Sequence, residues 1–317
     1  MTAPIDLSFC VVNTNQRELL LRGLDAIARE REALGDAVAT EVILLDNASQ
    51  DGSADAAAAH PTVDELIRLE RREGVSANVN AVVARSRAPL CLLLNEDAEL
   101  QPGATRALLD ALDADPRAGA AAAALLRPEG WQQPSAWRFP SVWTALAGAL
   151  FLHRLTTVQS KGAATRRVDW AQSCTMLVRR EAVEEAGWWD PDFFVYSDEV
   201  DVQKRMAQHG WHTLYVPSAR SVHHEQLSTD SVPERRIVEL SRNRDKYLRK
   251  HHGAGVAWLV RWLTAFPYAV RTVAALVLPG HDPRRYATHV RATLRPGRGE
   301  GIREAAEAFN RRLDAGG

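Results

Sequence analysis

Over its first 115 residues the chain alternates short apolar runs with longer amphipathic stretches. The apolar runs fall at residues 7–12, 41–45, 67–69 and 90–94, and the helix-like stretches at 17–34, 53–60, 76–86 and 102–113. Strands separated by helices of this length are βαβ units and predict a parallel, doubly wound sheet. Right-handed crossovers then bring the loops that follow the strands to one edge, where open α/β sheets hold their ligands.

Three of those loops are polar. Asn13-Thr14-Asn15 follows the first strand, "DNASQDGS" (residues 46–53) the second, and "LCLLLNEDAEL" (residues 90–100) passes abruptly from a buried-strand pattern into Asn95, Glu96 and Asp97. Asn and Asp also open turns and cap helices, so Asn-Glu-Asp alone does not define a site. No GxGxxG or GxxxxGK[ST] follows any strand, which leaves a nucleotide held through carboxylates and a metal as the economical reading.

Composition narrows the alternatives. With 39 Lys+Arg against 40 Asp+Glu the formal net charge is −1, so no global basic field draws nucleic acid, and none is expected as a partner. Cys10, Cys91 and Cys174 each lie in an apolar run without ligand spacing. They read as reduced core thiols, which favours the cytoplasm. The N-terminal residues lack the basic and long apolar regions of a signal peptide.

Residues 127–168, with three prolines and Trp131, Trp137 and Trp143, read as an irregular, partly mobile segment suited to covering a site. "VDWAQSCTMLVRR" reads as a strand, "SDEVDVQKRMAQHG" as a helix ending at Gly210, and "HTLYVP" as a strand. Asp198, Glu199 and Asp201 open that helix, where the dipole favours acids. The preceding aromatics, Trp188, Trp189, Phe193, Phe194 and Tyr196, would line an apolar pocket able to raise a carboxylate toward a useful base. His223 and His224 follow the last strand, and one of them could complete a metal site with Asp97. In residues 254–280 Arg261, Pro267 and Arg271 break the most apolar stretch into pieces too short to span a bilayer. That pattern fits a pair of amphipathic interfacial helices or, equally, helices packed on the protein itself or at a dimer interface.

Taken in order along the chain, these motifs resemble the inverting glycosyltransferases of family 2, with the GT-A fold, and most closely their rhamnosyltransferase-like branch. The resemblance covers residues 5–250. It implies an α/β fold of GT-A type, a Rossmann-like, mostly parallel sheet flanked by helices, followed by a C-terminal amphipathic helical extension. The catalytic domain is expected over residues 1–250, with a nucleotide-binding half (1–115) and an acceptor-binding half (116–250), and the extension, a candidate for membrane contact, over 251–317.

The resemblance also assigns roles. "SFCVVNTN" and "EVILLDNASQDGS" match the nucleotide loops, so that Asn13, Asn15, Asp46, Asn47 and Ser49 hold the nucleotide and Asp46 reads the base. Gly74 and Asn80 in "REGVSANVNAVV" fall on characteristic positions, and "LLLNEDAEL" places Asn95 and Asp97 at the metal-diphosphate site. "FFVYSDEVDVQKR" has Glu199 at the base position, with Asp198 a rival because the family's usual Glu-Asp order is reversed. "VHHE" supplies a metal histidine, His224 being favoured over His223 by its spacing to Ser228. Trp170, Ser173, Trp189, Asp190 and Tyr196 are expected around the donor and acceptor sugars, with Ser173 standing where the family usually has Gly. Arg242, Arg244 and Lys246 are candidates to meet an acceptor pyrophosphate, or simply a solvated basic face.

The implied reaction is inverting sugar transfer aided by Mn2+ or Mg2+, from dTDP-L-rhamnose or a UDP-sugar, onto a polyprenyl-diphosphate-linked saccharide of the cell envelope. The expected location is the cytoplasm, with peripheral contact at the inner membrane face, and a homodimer is left open. Two rivals stand beside it. A nucleotidyltransferase would need a phosphate-gripping Gly/Arg/Lys-rich loop that "NTNQREL" does not supply. A degenerate sugar- or lipid-binding scaffold would keep the fold without turnover.

Overall fold

The apolar runs become the middle of one sheet. In the computed structural model, which describes residues 4–224, 233–278 and 280–316, strands β1 (Leu7–Asn13), β2 (Thr40–Asp46), β3 (Glu65–Arg68) and β4 (Leu90–Asn95) pair in parallel in the order β3-β2-β1-β4. Helices α1 (Arg17–Leu34), α2 (Ser53–Ala58) and α3 (Val75–Arg85) make the crossovers. Phe9, Leu44, Leu92, Leu24 and Ile27 are almost wholly buried in one core face, and Cys10, Ile43, Leu93, Val82 and Val83 in the other. Burial on both faces is what a covered parallel sheet requires, and it accounts for the continuous apolar runs.

Beyond β4 the sheet changes character. The chain forms β5 (Ala98–Leu100), α4 (Ala104–Ala114), β6 (Ala118–Leu126), β7 (Ala136–Trp137), α5 (Val142–Ala149), α6 (His153–Thr156), β8 (Arg166–Val168), β9 (Trp170–Ala171), β10 (Thr175–Arg179), α7 (Arg180–Glu185), α8 (Asp198–Gln208) and β11 (His212–His223). Strand β10 runs antiparallel between β4 and β6, β11 is parallel to β6, and β5 and β8 pair antiparallel to β11. Strand β6 has no counterpart in the sequence reading, because "AGAAAAALL" has helix composition. Packing overrides propensity here: a Cβ on Gly119 would come within 2.6 Å of Met206 Cε and 2.8 Å of Ala182 Cβ, so only very small side chains let α7 and α8 close on the sheet.

The chain divides into two compact units, one drawn from residues 1–137, 159–191 and 199–228, the other from 138–158, 192–198 and 229–317. The first holds the sheet. The second is helical, comprising α5, α6, α9 (Pro233–Ala274), α10 (Pro283–Leu294) and α11 (Ile302–Gly316). Residue 250, the expected domain boundary, lies inside α9, and all of α9 belongs to the second unit.

Two sequence expectations are corrected. Residues 127–168 are not irregular throughout, since Ser141 and Thr144 form a reciprocal capping box that starts α5. Pro267 and the arginines do not break residues 254–274 into pieces either. The helix passes through them, and its single non-helical residue is Gly253, whose left-handed φ of 84° suits a residue without a side chain. No helix among the described residues is long and apolar enough to cross a membrane.

Candidate active site

The strand register brings the three polar loops to one sheet edge. Asn13 is level with Asp46, and Val12 with Asn95. Asn13 and Asp46 are buried, and the Asn13 amide donates to Asp46 Oδ1 at 2.8 Å and to Ser49 Oγ at 3.1 Å. Ser49 N–H donates to Asp46 Oδ2 at 2.9 Å, and Asn15 N–H to Ser49 Oγ at 2.9 Å. Asn47 ties a third segment in, donating to Thr14 and accepting from Glu73 N–H at 2.8 Å. Asn15 and Ala48 carry left-handed φ values of 54°, a conformation that this hydrogen-bonded cradle holds in place.

Gly74, extended at φ −74°, precedes α3, and from that helix Asn80 makes a two-way bridge to the Trp189 backbone, donating at 2.8 Å and accepting at 3.0 Å. Asn80 thus acts as a clamp between two segments of the first unit. Trp189 itself is 2% exposed and fills the core beneath the sheet. It is therefore corrected from a sugar-facing platform to a packing residue, because the ring's apolar area finds its partners inside.

At the end of β4 the situation reverses. Burial raises the Glu96 carboxyl to about 8, with the like charge of Asp97 adding to it. Burial also raises Asp97, against the opposing charges of His223, His224 and Arg127. Asp97 Oδ2 is buried without a hydrogen-bond partner among the described residues. His223 Nε2 lies 3.5 Å from that oxygen, while its Nδ1 is 2.9 Å from the Gln133 amide nitrogen. Gln133 Oε1 is also unpartnered. Turning that amide over would let Oε1 accept from Nδ1–H and free the Nε2 lone pair toward Asp97, the tautomer a metal-ligating imidazole needs. His224 Nε2 instead faces Glu99 Oε2 at 3.6 Å. The structure therefore pairs His223 with Asp97, not the His224 expected from sequence. Ser228, which set that expectation, lies outside the described residues.

Among the described residues no cluster of three or more His, Cys, Asp or Glu side chains forms a ready cage for a metal. Asp97 and His223 supply one oxygen and one nitrogen, with an orphaned buried carboxylate oxygen between them. That donor set suits a divalent cation of the Mn2+ or Mg2+ kind.

Glu199, half-buried in the first turn of α8, belongs to the same unit as this edge. The Cys174 thiol is pushed up by burial and also by the charges of both Asp97 and Glu199, so both acids lie near it. Asn95 N–H donates to Cys174 O at 3.1 Å, and Ser173 is half-buried in the turn beside it. Gln203 fixes the start of α8 by bonding Glu199 O and both the N–H and C=O of Ala171. Next to Ala171, Trp170 stacks on Trp137 with centroids 4.8 Å apart, a flat half-buried surface of the kind that receives a sugar face. Asp190 is half-buried just after the clamped Trp189. Tyr196 and the 2%-exposed Asp198 fall in the second unit, where the Arg236 guanidinium lies 5.9 Å from the Tyr196 ring centroid.

Sequence reasoning missed Gln133 and the role of Trp137. Gln133 left no local signal, whereas Trp137 was visible as one of three tryptophans in a segment read as irregular.

A cradle of carboxamides and carboxylates, a buried acid beside an imidazole and a second acid at a helix start are parts that a group-transfer site of the nucleotide-sugar kind would use. The chain belongs to glycosyltransferase family 2: the model described as "Glycosyltransferase like family 2" matches residues 4–266. It is a glycosyltransferase. Among characterised relatives, the N-acetylglucosaminyl-diphospho-decaprenol L-rhamnosyltransferase of Mycobacterium tuberculosis is 29% identical over 250 residues, covering 73% of this chain and 81% of that one.

Two solved structures share the fold. The mannosyltransferase PcManGT from Pyrobaculum calidifontis, in complex with GDP-Man and Mn2+, has a TM-score of 0.58 at 19% identity, covering 98% of this chain and 89% of that one. GalNAc-T7 with UDP, GalNAc and Mn2+ has a TM-score of 0.56 at 15% identity, covering 99% of this chain and 58% of that one.

Proposed function

We propose that the protein transfers L-rhamnose, with inversion and with the help of a divalent cation, from dTDP-L-rhamnose to a saccharide linked to a polyprenyl diphosphate. The observation that carries the metal-dependent part is the buried Asp97 oxygen facing His223 Nε2 with no hydrogen-bond partner among the described residues. The rhamnosyl and lipid-linked parts draw on the mycobacterial relative's specificity.

In this reading Asn13, Asn15, Asp46, Asn47 and Ser49 cradle the nucleoside. Asp97 and His223 would hold a divalent cation, which would supply neutralisation of charge on the departing diphosphate. Glu199 takes the proton from the acceptor hydroxyl; that oxygen bonds to the anomeric carbon as the bond to the diphosphate oxygen breaks, and no covalent enzyme intermediate is needed. The stacked Trp137 and Trp170 offer a face for a sugar ring.

The test is direct. Purified protein is incubated with N-acetylglucosaminyl-diphospho-decaprenol and either dTDP-L-rhamnose or UDP-sugars, with Mn2+, with Mg2+ or with a chelator. Rhamnosylated lipid formed from the dTDP donor and suppressed by the chelator is the expected result. Turnover with UDP-sugars alone would replace the donor, and chelator-resistant turnover would remove the cation.

A further inference from the structure

The helical unit contains a cleft of about 280 Å³, lined in part by Ser141, Thr144, Gly148, Arg244, Tyr268 and Arg271. No acidic side chain lines it. Among the described residues neither Arg244 nor Arg271 has an ion-pair partner. Arg271 lies over the Phe151 and Tyr268 rings at 5.4 and 5.8 Å, and the neighbouring carboxylate, Asp245, is already claimed by Arg249 at 2.8 Å and by Arg261 at 2.6 and 2.8 Å. Burial lowers the Arg244 guanidinium, Tyr268 and Asp245 opposing it.

Half-buried cations that lack a counter-charge are costly unless an anion completes them. Two guanidiniums opening on one cleft match the oxygens of a phosphate or diphosphate. The surroundings indicate what carries that phosphate. Of the exposed large apolar side chains among the described residues, all but Trp131 belong to this unit, including Trp143, Leu155, Trp258, Trp262 and Phe266. An exposed apolar surface of that extent in the same unit as a cationic cleft is what an isoprenoid chain bearing a phosphate would require.

We infer that the Arg244–Arg271 cleft binds the phosphate end of a polyprenyl lipid, so that the helical unit captures the acceptor by its lipid phosphate. This rests on the proposed lipid-linked acceptor, and it assigns to Arg244 the pyrophosphate contact for which sequence offered Arg242, Arg244 and Lys246 together. Arg242 is paired with Glu304 at 2.9 Å and with Glu239 at 3.4 Å, and Lys246 donates to the Asp192 carbonyl.

The experiment measures sedimentation of the full-length protein with phosphatidylcholine vesicles doped with decaprenyl phosphate. Vesicles carrying the same charge as phosphatidylglycerol, and free pyrophosphate as competitor, run in parallel. Expected are binding that favours decaprenyl phosphate over phosphatidylglycerol, weak competition by pyrophosphate, and roughly tenfold weaker binding in Arg244→Gln and in Arg271→Gln. Gly148 keeps the test sharp. A Cβ there meets nothing within 4 Å, so Gly148→Leu fills the cleft without altering charge or straining the fold, and a similar loss is expected.

Equal binding to phosphatidylglycerol vesicles, pyrophosphate competing as tightly as the lipid, or vesicle binding indifferent to all three substitutions would overturn the inference. Thermal stabilisation of the wild type by dTDP with Mn2+ is read alongside. Its absence would defeat the proposed function while leaving the lipid result standing, so the two failures are distinguishable.

Discussion

The sheet edge that ends β1 and β2 and the edge that ends β4 lie side by side and are built on opposite principles. At the first, Asn13, Asn15, Asp46, Asn47 and Ser49 are held by hydrogen bonds between 2.7 and 3.2 Å to one another and to Thr14, Gln50 and Glu73, and of the cradle's buried side-chain atoms only Asn13 Oδ1 lacks a partner among the described residues. At the second, Glu96 and Asp97 are pushed toward their protonated forms, and polar atoms of Asp97, Gln133 and His224 are buried without hydrogen bonds among the described residues. A satisfied network rigidifies whether or not ligand is present, whereas an unsatisfied one stores a cost that only a ligand can offset. In the proposed function, the contrast separates the part that would shape a nucleoside pocket from the part that would wait for a charge.

Substitutions across this divide have different expected signatures, and the largest effect concerns chemistry. Glu199→Gln is expected to lower turnover roughly 10²- to 10⁴-fold while leaving metal-dependent nucleotide binding intact. Steady-state rates and thermal shifts on the same preparation check this, and turnover within threefold of wild type, taken as about the scatter of such assays, would shift the base role to Asp198.

Next comes the imidazole's support. Gln133→Ala leaves the Asp97–His223 pair in place but frees the ring, and should weaken Mn2+ affinity about 10- to 100-fold, measured by metal titration with dTDP present. His224→Ala should change it little. The reverse ranking would restore His224 as the ligand.

On the satisfied side the effect is structural. Asp46→Ala removes the acceptor of Ser49 N–H and the closer of the two acceptors of the Asn13 amide, and should cost about 1–3 kcal/mol in urea unfolding even without ligand. A neutral result would mean that the cradle is no more preorganised than its neighbour.

The smallest effect lies in the helical unit. His289 stacks on Tyr268 at 4.3 Å, and burial lowers it to about 4, with the charges of Arg244, Arg285 and Arg271 assisting. A base with a depressed folded pKa contributes stability above its usual value near 6.5 that is lost as pH falls through 4, because protonation then favours the unfolded chain. Roughly 2 kcal/mol, after allowance for solvent screening, should disappear over that interval and be absent in His289→Phe. Identical acid unfolding curves would contradict the assignment.

Legibility from sequence followed the same divide. The βαβ half was readable nearly to the residue, because apolar runs buried on both faces and polar strand ends are local signals; Asp46 and Asp97 stood out for that reason. The alanine strand β6 was not, since its identity depends on the clearance beneath α7 and α8. Trp189 was misread because an aromatic before an acidic helix looks the same in sequence whether it faces a sugar or a core. The choice between His223 and His224 needed β11 paired with β5, which sends adjacent side chains to opposite faces, one toward Asp97 and the other toward Glu99.

The most direct test of the central claim is the thermal unfolding of Asp97→Asn beside wild type, each with dTDP, with Mn2+ and with both. Without ligand the substitution should leave the protein at least as stable as wild type, since it removes a buried, unsatisfied carboxylate, and it should abolish the extra stabilisation that Mn2+ gives in the presence of dTDP. A variant that is less stable when free and still responds to Mn2+ with dTDP would show that Asp97 is part of the scaffold and that the cation, if used, binds elsewhere.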